Sequence, residues 1–466
     1  MAKILIVISG DEYVRNYLTT DALATVEKEN DCYYLASDKV TSREHLENKQ
    51  HFLGYYHFPE SLTKKHFALF NILMWRFRNR STSFRFRFKR LANLSQLQYR
   101  GNLRGYVGGL WDFIYFNLFS SRSAFRSILL GNKMVYSIFG GIYQNSIPIN
   151  DDLLHYVDNL KPDLILFPSS AYDPDGNDLA RIGKLCGVRT LFLIDNWDNI
   201  SSKTIFWAFP DHLGVWGQQS KEHAIRMQDF PPHQVTPIGT PRFDRYFILR
   251  DQLLPKHFDF EYILFTGLAI PFDEVAALRI IEEEIASKPD IYGGVKVVYR
   301  PHPWRHTRIS NDHFDEKEYS HVIIDPQLRD AYYGKNTHFQ PDLSYYPALL
   351  KHSRFVVASP TTMIIESLIF RKRVLLLAYD DGVHLTSPHN ALANYEHFRG
   401  VEQVEGVSLC SDKSSLAEQF RRLWMHQEQV DAEKQAQDLN YFLFDDGRRY
   451  RDRLAELVNK LSSYKV

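Results

Sequence analysis

The run Val-Val-Tyr-Arg-Pro-His-Pro-Trp-Arg, from Val297 to Arg305, reads as a buried strand leading into a turn that carries an imidazole between two prolines. Proline fixes the backbone and removes donors, so such a turn is stiff and holds His302 at a set height above a sheet. A protonated histidine donates to a phosphate oxygen or protonates a leaving phosphate. Arg300 and Arg305 could add bidentate contacts to the same phosphate. A second run, Phe355 to Ser367, reads as a strand ending in Ser359-Pro360-Thr361-Thr362 at a helix start. Backbone N–H groups, hydroxyls and the helix dipole converge there and favour an anion. Glu366, about one turn further on, could accept from ribose hydroxyls. Thr266-Gly267 closes a third strand, where a backbone N–H could approach a phosphate. In an open α/β sheet, ligands bind at the carboxyl ends of the strands, so these turns together suggest a pocket for a nucleotide phosphate and its ribose. Each has a plainer alternative: a surface histidine, an ordinary Ser/Thr N-cap, a tight turn.

The first half carries a different chemistry. Asp195-Asn196-Trp197-Asp198-Asn199-Ile200-Ser201-Ser202-Lys203 follows a strand. A carboxylate here, Asp198 or Asp195, could be the general base that activates an acceptor hydroxyl, with Asn199, Lys203 and Arg242 on the acceptor side. Asx turns and caps would use the same residues. Asp173-Pro174-Asp175-Gly176-Asn177-Asp178 invites a metal, yet reads better as a Pro/Gly turn and a helix N-cap. There is no P-loop, no GxGxxG fingerprint and no GxSxG elbow. No metal or cofactor is expected, because His, Arg and a helix N-terminus can neutralise a leaving phosphate.

These residues need a scaffold, and the pattern supplies one. Strands are expected at Ile4 to Ser9, Cys32 to Leu35, Asp163 to Phe167, Thr190 to Ile194, His212 to Trp216 and Val235 to Ile238. After a break near 249 to 258 a second series follows, at Tyr262 to Phe265, Val295 to Tyr299, Val322 to Ile324, Phe355 to Ala358 and Val374 to Leu377. Helices alternate with them, the first over Tyr13 to Lys28. Such alternation implies parallel sheets with right-handed crossovers. The expected architecture is two Rossmann-like domains facing a cleft: 1–250 for the acceptor, 258–412 for the nucleotide donor, and a tail of amphipathic helices over 413–466.

Composition narrows the setting. A chain of 466 residues with 44% hydrophobic content can bury two cores. Lys+Arg and Asp+Glu are 56 each, so no global nucleic-acid signal exists. The three cysteines are scattered, the first residues read as a strand and not a signal peptide, and no apolar run could span a membrane. A cytoplasmic setting is expected. Charge is nonetheless uneven. Ser61 to Trp111 holds eleven Lys/Arg and no Asp/Glu, and residues 55–130 depart from strand–helix alternation. Within Phe67 to Arg90 aromatics interleave with arginines. That stretch reads as a basic insertion whose aromatics reach the core, or as a peripheral contact with anionic lipid at the inner face of the plasma membrane or with a lipid-linked acceptor; single-stranded nucleic acid uses the same residue types, but the rest of the chain is neutral.

In order along the chain, Trp197-Asp198-Asn199 through Lys203, Val215-Trp216-Gly217-Gln218-Gln219-Ser220, Ile238-Gly239-Thr240-Pro241-Arg242-Phe243-Asp244, Arg300-Pro301-His302-Pro303 and Ser359 to Glu366 resemble the bacterial surface-polysaccharide and capsule transferases of the CDP-glycerol glycerophosphotransferase-like group. Asp446-Gly447-Arg448-Arg449 resembles that group's late acidic-Gly element. The resemblance covers roughly residues 160 to 450 and implies the GT-B fold. By matching position it places the donor's phosphates on His302, Ser359, Thr361 and Thr362, with a cytidine or other pyrimidine nucleotide as carrier. The basic insertion has no counterpart there. The function expected is transfer of a sugar, or a polyol phosphate, from a nucleotide-activated donor to a surface polysaccharide or lipid-linked glycan. The alternatives are a sugar-nucleotide epimerase or hydrolase on the same fold, and a non-catalytic glycan-binding protein.

Overall fold

The computed structural model describes residues 1–94, 107, 110–111, 114–115, 118, 123–269, 272–302, 314–333, 345–425 and 430–463. The chain divides into two compact units, Met1–Pro241 with Phe442–Val466, and Arg242–Tyr441.

The first unit is built on a seven-stranded sheet, β1 (Lys3–Ile8), β2 (Asp31–Ser37), β3 (Phe52–Tyr56), β4 (Leu164–Ser169), β5 (Arg189–Ile194), β6 (His212–Val215) and β7 (Val235–Pro237). Its order is β3-β2-β1-β4-β5-β6-β7, and the pairings are parallel. Sequences such as KILIVI and LILFPS are buried on both faces, which is why they read as unbroken apolar runs and not as alternation. The strand order reverses beside β1, between β1 and β4.

The second unit has a six-stranded sheet, β8 (Tyr262–Thr266), β9 (Lys296–Arg300), β10 (Val322–Ile324), β11 (Val356–Ala358), β12 (Val374–Leu377) and β13 (Val407–Cys410). Its order is β10-β9-β8-β11-β12-β13, again parallel, with the reversal between β8 and β11. Helix Glu274–Ala286, capped by Asp273 through the N–H of Ala276, buries Leu278, Ile281 and Ile285 in the core of this unit.

Two expectations change. The tail does not form a block of its own. Helix Leu416–Met425 buries Leu416, Phe420, Leu423 and Trp424 in the core of the second unit. Helix Tyr450–Ser462 buries Tyr450, Leu454 and Val458 in the first, packed on β4, β5 and the helix after β1. The single helix expected over Tyr13 to Lys28 is broken into Asp11–Tyr13, a π turn Val14–Leu18 and helix Ala24–Glu29. Thr19 and Thr20 donate back to the carbonyls of Arg15 and Asn16 there, and such local bonds compete with helix propagation.

The basic stretch is helical and packed. Glu60–Arg76 and Thr82–Leu94 bury Leu69, Leu73, Met74 and Phe84 in the core of the first unit. Its arginines are largely engaged. Arg80 pairs with Asp229, Arg87 donates to the carbonyls of Ser202 and Lys203, and Arg78 stacks over Trp75. Among the described residues no helix is long and apolar enough to cross a membrane.

Candidate functional site

In the second unit, Arg300, Thr266 and Ala358 are register partners across β9, β8 and β11. The residues that follow them leave the sheet at one level. They are Pro301-His302, Gly267-Leu268 and Ser359-Pro360. The Gly267 N–H donates to the carbonyl of Arg300 at 2.8 Å. A Cβ at Gly267 would lie 2.7 Å from Glu274 Oε2, 3.0 Å from Pro301 Cα and 3.1 Å from His302 N. Only glycine fits so close to the turn that carries the imidazole. His302 itself is half-buried.

Glu274 is the residue that the sequence did not reveal here. It is fully buried, accepts from the Leu268 N–H at 2.6 Å through Oε1 and from the Tyr299 hydroxyl at 2.7 Å through Oε2. It thereby ties the β8 turn to β9. Its one signal is a carboxylate in the first turn of a helix that follows a Thr-Gly turn.

On the far side of the reversal, Ser359 is buried, and its Oγ has no hydrogen-bond partner among the described residues. A buried hydroxyl left unsatisfied calls for an explanation, and a ligand is one. Thr361 and Thr362 are half-buried. Thr362 stands at the N-cap of helix Met363–Ile369 without making a side-chain cap bond. Ser387, after β12, is a second fully buried hydroxyl with no partner among the described residues. Thr266 is buried in β8, its Oγ1 donating weakly to the Val357 carbonyl at 3.5 Å.

Other residues expected at the donor have partners within the protein. Arg300 turns into the interior. It pairs with Asp325, donates to Gln327 Oε1 at 2.9 Å and stacks over Tyr346 at 3.8 Å. As the last residue of β9 it fastens β9 to the β10 exit, and a guanidinium so satisfied is not offered to a phosphate. Glu366 is fully buried. It accepts from Arg242 Nη2 at 2.6 Å and from the Tyr246 hydroxyl at 3.4 Å, so the carboxylate expected at a ribose and the guanidinium expected at an acceptor are paired with each other. Arg305 lies outside the described residues.

In the first unit a carboxylate group gathers where β1, β4 and β5 end. Asp195 is buried and accepts from Asn16 Nδ2 at 2.8 Å and Asn196 Nδ2 at 3.0 Å. Asp173 accepts from the Tyr13 hydroxyl at 2.5 Å and the Ser170 N–H at 2.9 Å. Glu12 stands at the exposed rim, folded back so that a Cβ on Gly10 would meet its Oε2 at 2.6 Å. Partial withdrawal from water, and then the charges of Asp173 and Asp195, push its carboxyl above the usual range. A raised, accessible carboxyl beside the reversal of strand order is equipped to give and take protons. No sequence motif marks Glu12; its place in the first turn after β1 is the only signal.

The segment after Asp195 serves the fold. Asn199 is fully buried and closes its own turn, accepting from the Asn196 N–H at 2.7 Å. The π turn Asn199–Lys203 is pinned by Gln228, which donates to the carbonyls of Ile200 and Thr204 at 2.7 Å and 2.9 Å. Lys203 Nζ lies 3.1 Å from Asp198 Oδ1. Asn199 and Lys203 thus have roles in the turn, and Asp198 is the half-buried partner of Lys203. The acidic run from Asp173 begins helix Pro174–Cys186. Among the described residues no group of three or more His, Cys, Asp or Glu side chains could hold a metal ion. The late acidic-Gly element is structural. Arg453 donates to Asp446 at 3.0 Å and to the carbonyl of Ile238 at 3.1 Å, fastening helix Tyr450–Ser462 to the end of β7.

No protein-family model matches the sequence, and no curated protein matches it, so no sequence family supports the resemblance to the CDP-glycerol group. Solved structures do match. A UDP-N-acetylglucosamine 2-epimerase from Rickettsia bellii is 10% identical, with 100% of this chain and 98% of that chain covered and a TM-score of 0.51. A putative UDP-N-acetylglucosamine 2-epimerase from Listeria monocytogenes is 12% identical, over 99% and 96% of the two chains, with a TM-score of 0.48. CalG4, the calicheamicin glycosyltransferase, is 10% identical, over 99% and 98%, with a TM-score of 0.44. The whole-length likeness to the Rickettsia structure and the two parallel sheets give the architecture: two Rossmann-like α/β units of the GT-B class.

Proposed function

We propose that this chain is an enzyme acting on a nucleotide-activated sugar, with the nucleoside diphosphate held by the second unit. The observation that carries this is the reversal of strand order between β8 and β11. The turns leaving it bring a close-packed Gly267-His302 pair and an unsatisfied Ser359 hydroxyl to one level of the sheet. Ligands of open α/β sheets bind at such a place. His302 donates to the departing phosphate, and Thr361 and Thr362 add hydroxyls, so charge is neutralised without a metal or cofactor. In the first unit the raised carboxyl of Glu12, beside Asp173 and Asp195, is the group equipped to exchange a proton.

The Rickettsia protein that shares this fold along its whole length is a UDP-N-acetylglucosamine 2-epimerase. That likeness supports an acceptor-free reaction, epimerisation or hydrolysis of the sugar nucleotide, as the first activity to assay. The test has two stages. Thermal unfolding is followed with UDP, UDP-N-acetylglucosamine, CDP and GDP, and then the sugar nucleotide is followed by NMR without acceptor. A raised Tm with uridine nucleotides, followed by inversion at sugar C2 or release of free sugar, is expected. No shift with any nucleotide overturns the proposal.

A second reading has its own observation. The segment from 61 to 145 is basic and its later helices are apolar at the surface, which a small-molecule enzyme does not need. It favours transfer of a sugar or polyol phosphate to a surface polysaccharide or lipid-linked glycan. Nucleotide binding with an unchanged sugar nucleotide, and label appearing in a glycan acceptor once one is supplied, would select transfer.

A further inference from the structure

Helices Ala124–Gly131 and Lys133–Asn145 are inside out by the rules of a water-soluble surface. Phe125, Ile128 and Leu129 share one face of the first, at i, i+3 and i+4, and Met134, Ile138 and Ile142 share one face of the second at steps of four. With Phe139, these side chains are between 43% and 74% exposed. The fully buried residues are small ones, Ala124, Ser127, Gly131 and Gly140, with Tyr136 and Tyr143 half-buried against the core. Gly131 is clamped on helix Glu60–Arg76, where a Cβ would meet Trp75 Cδ1 at 2.7 Å and the Ile72 carbonyl at 2.8 Å. A solvated helix turns its apolar stripe to the core. A contiguous exposed one marks a surface that something covers.

Beside this face lies a cavity of about 430 Å³ lined by Trp75, Arg76, Phe77, Arg78, Ile128 and Lys133 among others, with no carboxylate in its wall. Stacking fixes its guanidinium groups: Arg78 lies over Trp75 at 4.3 Å and Arg76 over Tyr136 at 4.6 Å. Arg76 Nε is buried without a hydrogen-bond partner among the described residues. Ile128 and Lys133 belong both to the cavity wall and to the two helices. The surrounding sequence has one sign of charge. Residues 61–150 contain fourteen Lys/Arg and a single acid, Asp112, in a chain whose charges otherwise cancel.

We propose that this helix pair docks on an anionic phospholipid bilayer, lying in the plane of the interface with its apolar stripe among the acyl chains, while the Arg76–Arg78–Lys133 cavity takes a lipid phosphate. Helices of eight and thirteen residues are too short to span a bilayer, but apolar on one side and basic beside it they have the composition of an interfacial anchor. Two copies of this chain meeting through this face would bring like charges together, whereas an anionic surface complements them. The lipid contact expected at Phe67 to Arg90 thus moves to the following segment, because Phe70, Phe84, Phe86 and Phe88 are buried. The inference does not depend on the reaction proposed above.

Vesicle flotation of the full chain tests it, with phosphatidylcholine alone and with phosphatidylcholine mixed with phosphatidylglycerol, at low and high salt. The wild type should float with the mixed vesicles, sink with phosphatidylcholine alone, and be released by salt. Ile138→Glu with Ile142→Glu should reduce flotation to the phosphatidylcholine level with Tm unchanged, since both side chains are exposed. Arg78→Gln with Lys133→Gln should abolish the preference for phosphatidylglycerol. A wild type that ignores mixed vesicles, floats equally with both, or retains flotation in both variants overturns the proposal. So does a wild-type dimer that Ile138→Glu with Ile142→Glu splits while vesicles take up neither, which would assign the face to a second copy of the chain.

Discussion

Arg242 and Glu366 form an ion pair, with Nη2 and Oε1 2.6 Å apart and the carboxylate almost wholly buried. They stand 124 positions apart in sequence, at the first residue of the second unit and in the helix after β11. Removing one partner from a buried pair leaves an uncompensated charge, at roughly 3 to 5 kcal/mol. Arg242 keeps some contact with water, so Arg242→Ala should cost about 2 to 3 kcal/mol in urea unfolding, below that range. Glu366→Gln, which stays polar and can still accept from Tyr246, should cost less. Equal stability of Arg242→Ala and wild type would show that the pair contributes nothing.

Gly267→Ala places a methyl against Glu274 and the His302 turn. The neighbours are backbone and a fully engaged carboxylate, so they yield only by moving the loop. A loss of about 1 to 3 kcal/mol in stability is expected, as for overpacking, together with loss of any nucleotide-induced rise in Tm. A variant that keeps both would show that the two turns do not need this approach.

His302→Ala should leave Tm close to wild type, because the ring is half-buried and its turn is held by prolines. Turnover should fall by about 10²- to 10³-fold, the usual consequence of losing one group that stabilises developing charge. Unchanged turnover in a folded variant removes His302 from the reaction.

Glu12→Gln should lower turnover by about 10²- to 10⁴-fold, as expected for loss of an acid–base group, and should erase the carboxyl limb of the pH–rate profile. Because the folded carboxyl is raised, that limb should sit above the pH of an ordinary glutamate. A profile identical in the variant would leave Asp195 as the candidate.

Asp175 supplies a stability test. Burial, and then the charge of Asp173, push its carboxyl up to about 7, while Tyr56 donates to it at 2.8 Å. The folded state therefore holds a proton that the unfolded chain gives up from pH 3.8 upward. The contribution to stability is present below that pH and is lost as pH rises through about 7. Tm should fall between pH 5 and 8, and Asp175→Asn should flatten the fall. A steeper fall in the variant would contradict the raised value.

Much of the scaffold was legible because central parallel strands are buried on both faces and spell themselves in Val, Ile and Leu. Two of the four edge strands were not. Phe52–Tyr56 is interrupted by Gly54 at a φ of +122°, and Val407–Cys410 is only partly buried; neither offers an apolar run. Strand exits were also legible, since Thr266-Gly267, Pro301-His302 and Ser359-Thr362 are punctuated by Gly, Pro and hydroxyls. Partner choice was not. Arg300 turns to Asp325, and Glu366 to Arg242, across distances in sequence that no local pattern encodes. Glu12 and Glu274 look ordinary in the chain and matter through what surrounds them.

The last residues of the chain complete the unit that its first residues begin. Arg449 reaches Asp21, Asn459 accepts from Asn30, and Arg453 closes on Ile238. The second unit is one continuous stretch of sequence; the first is interrupted by it. During synthesis the sheet of the first unit therefore waits, with the surface meant for helix Tyr450–Ser462 uncovered, until the whole second unit has been made. The second unit can finish first. A stop just before Tyr450 would harm the first unit before it harmed the second.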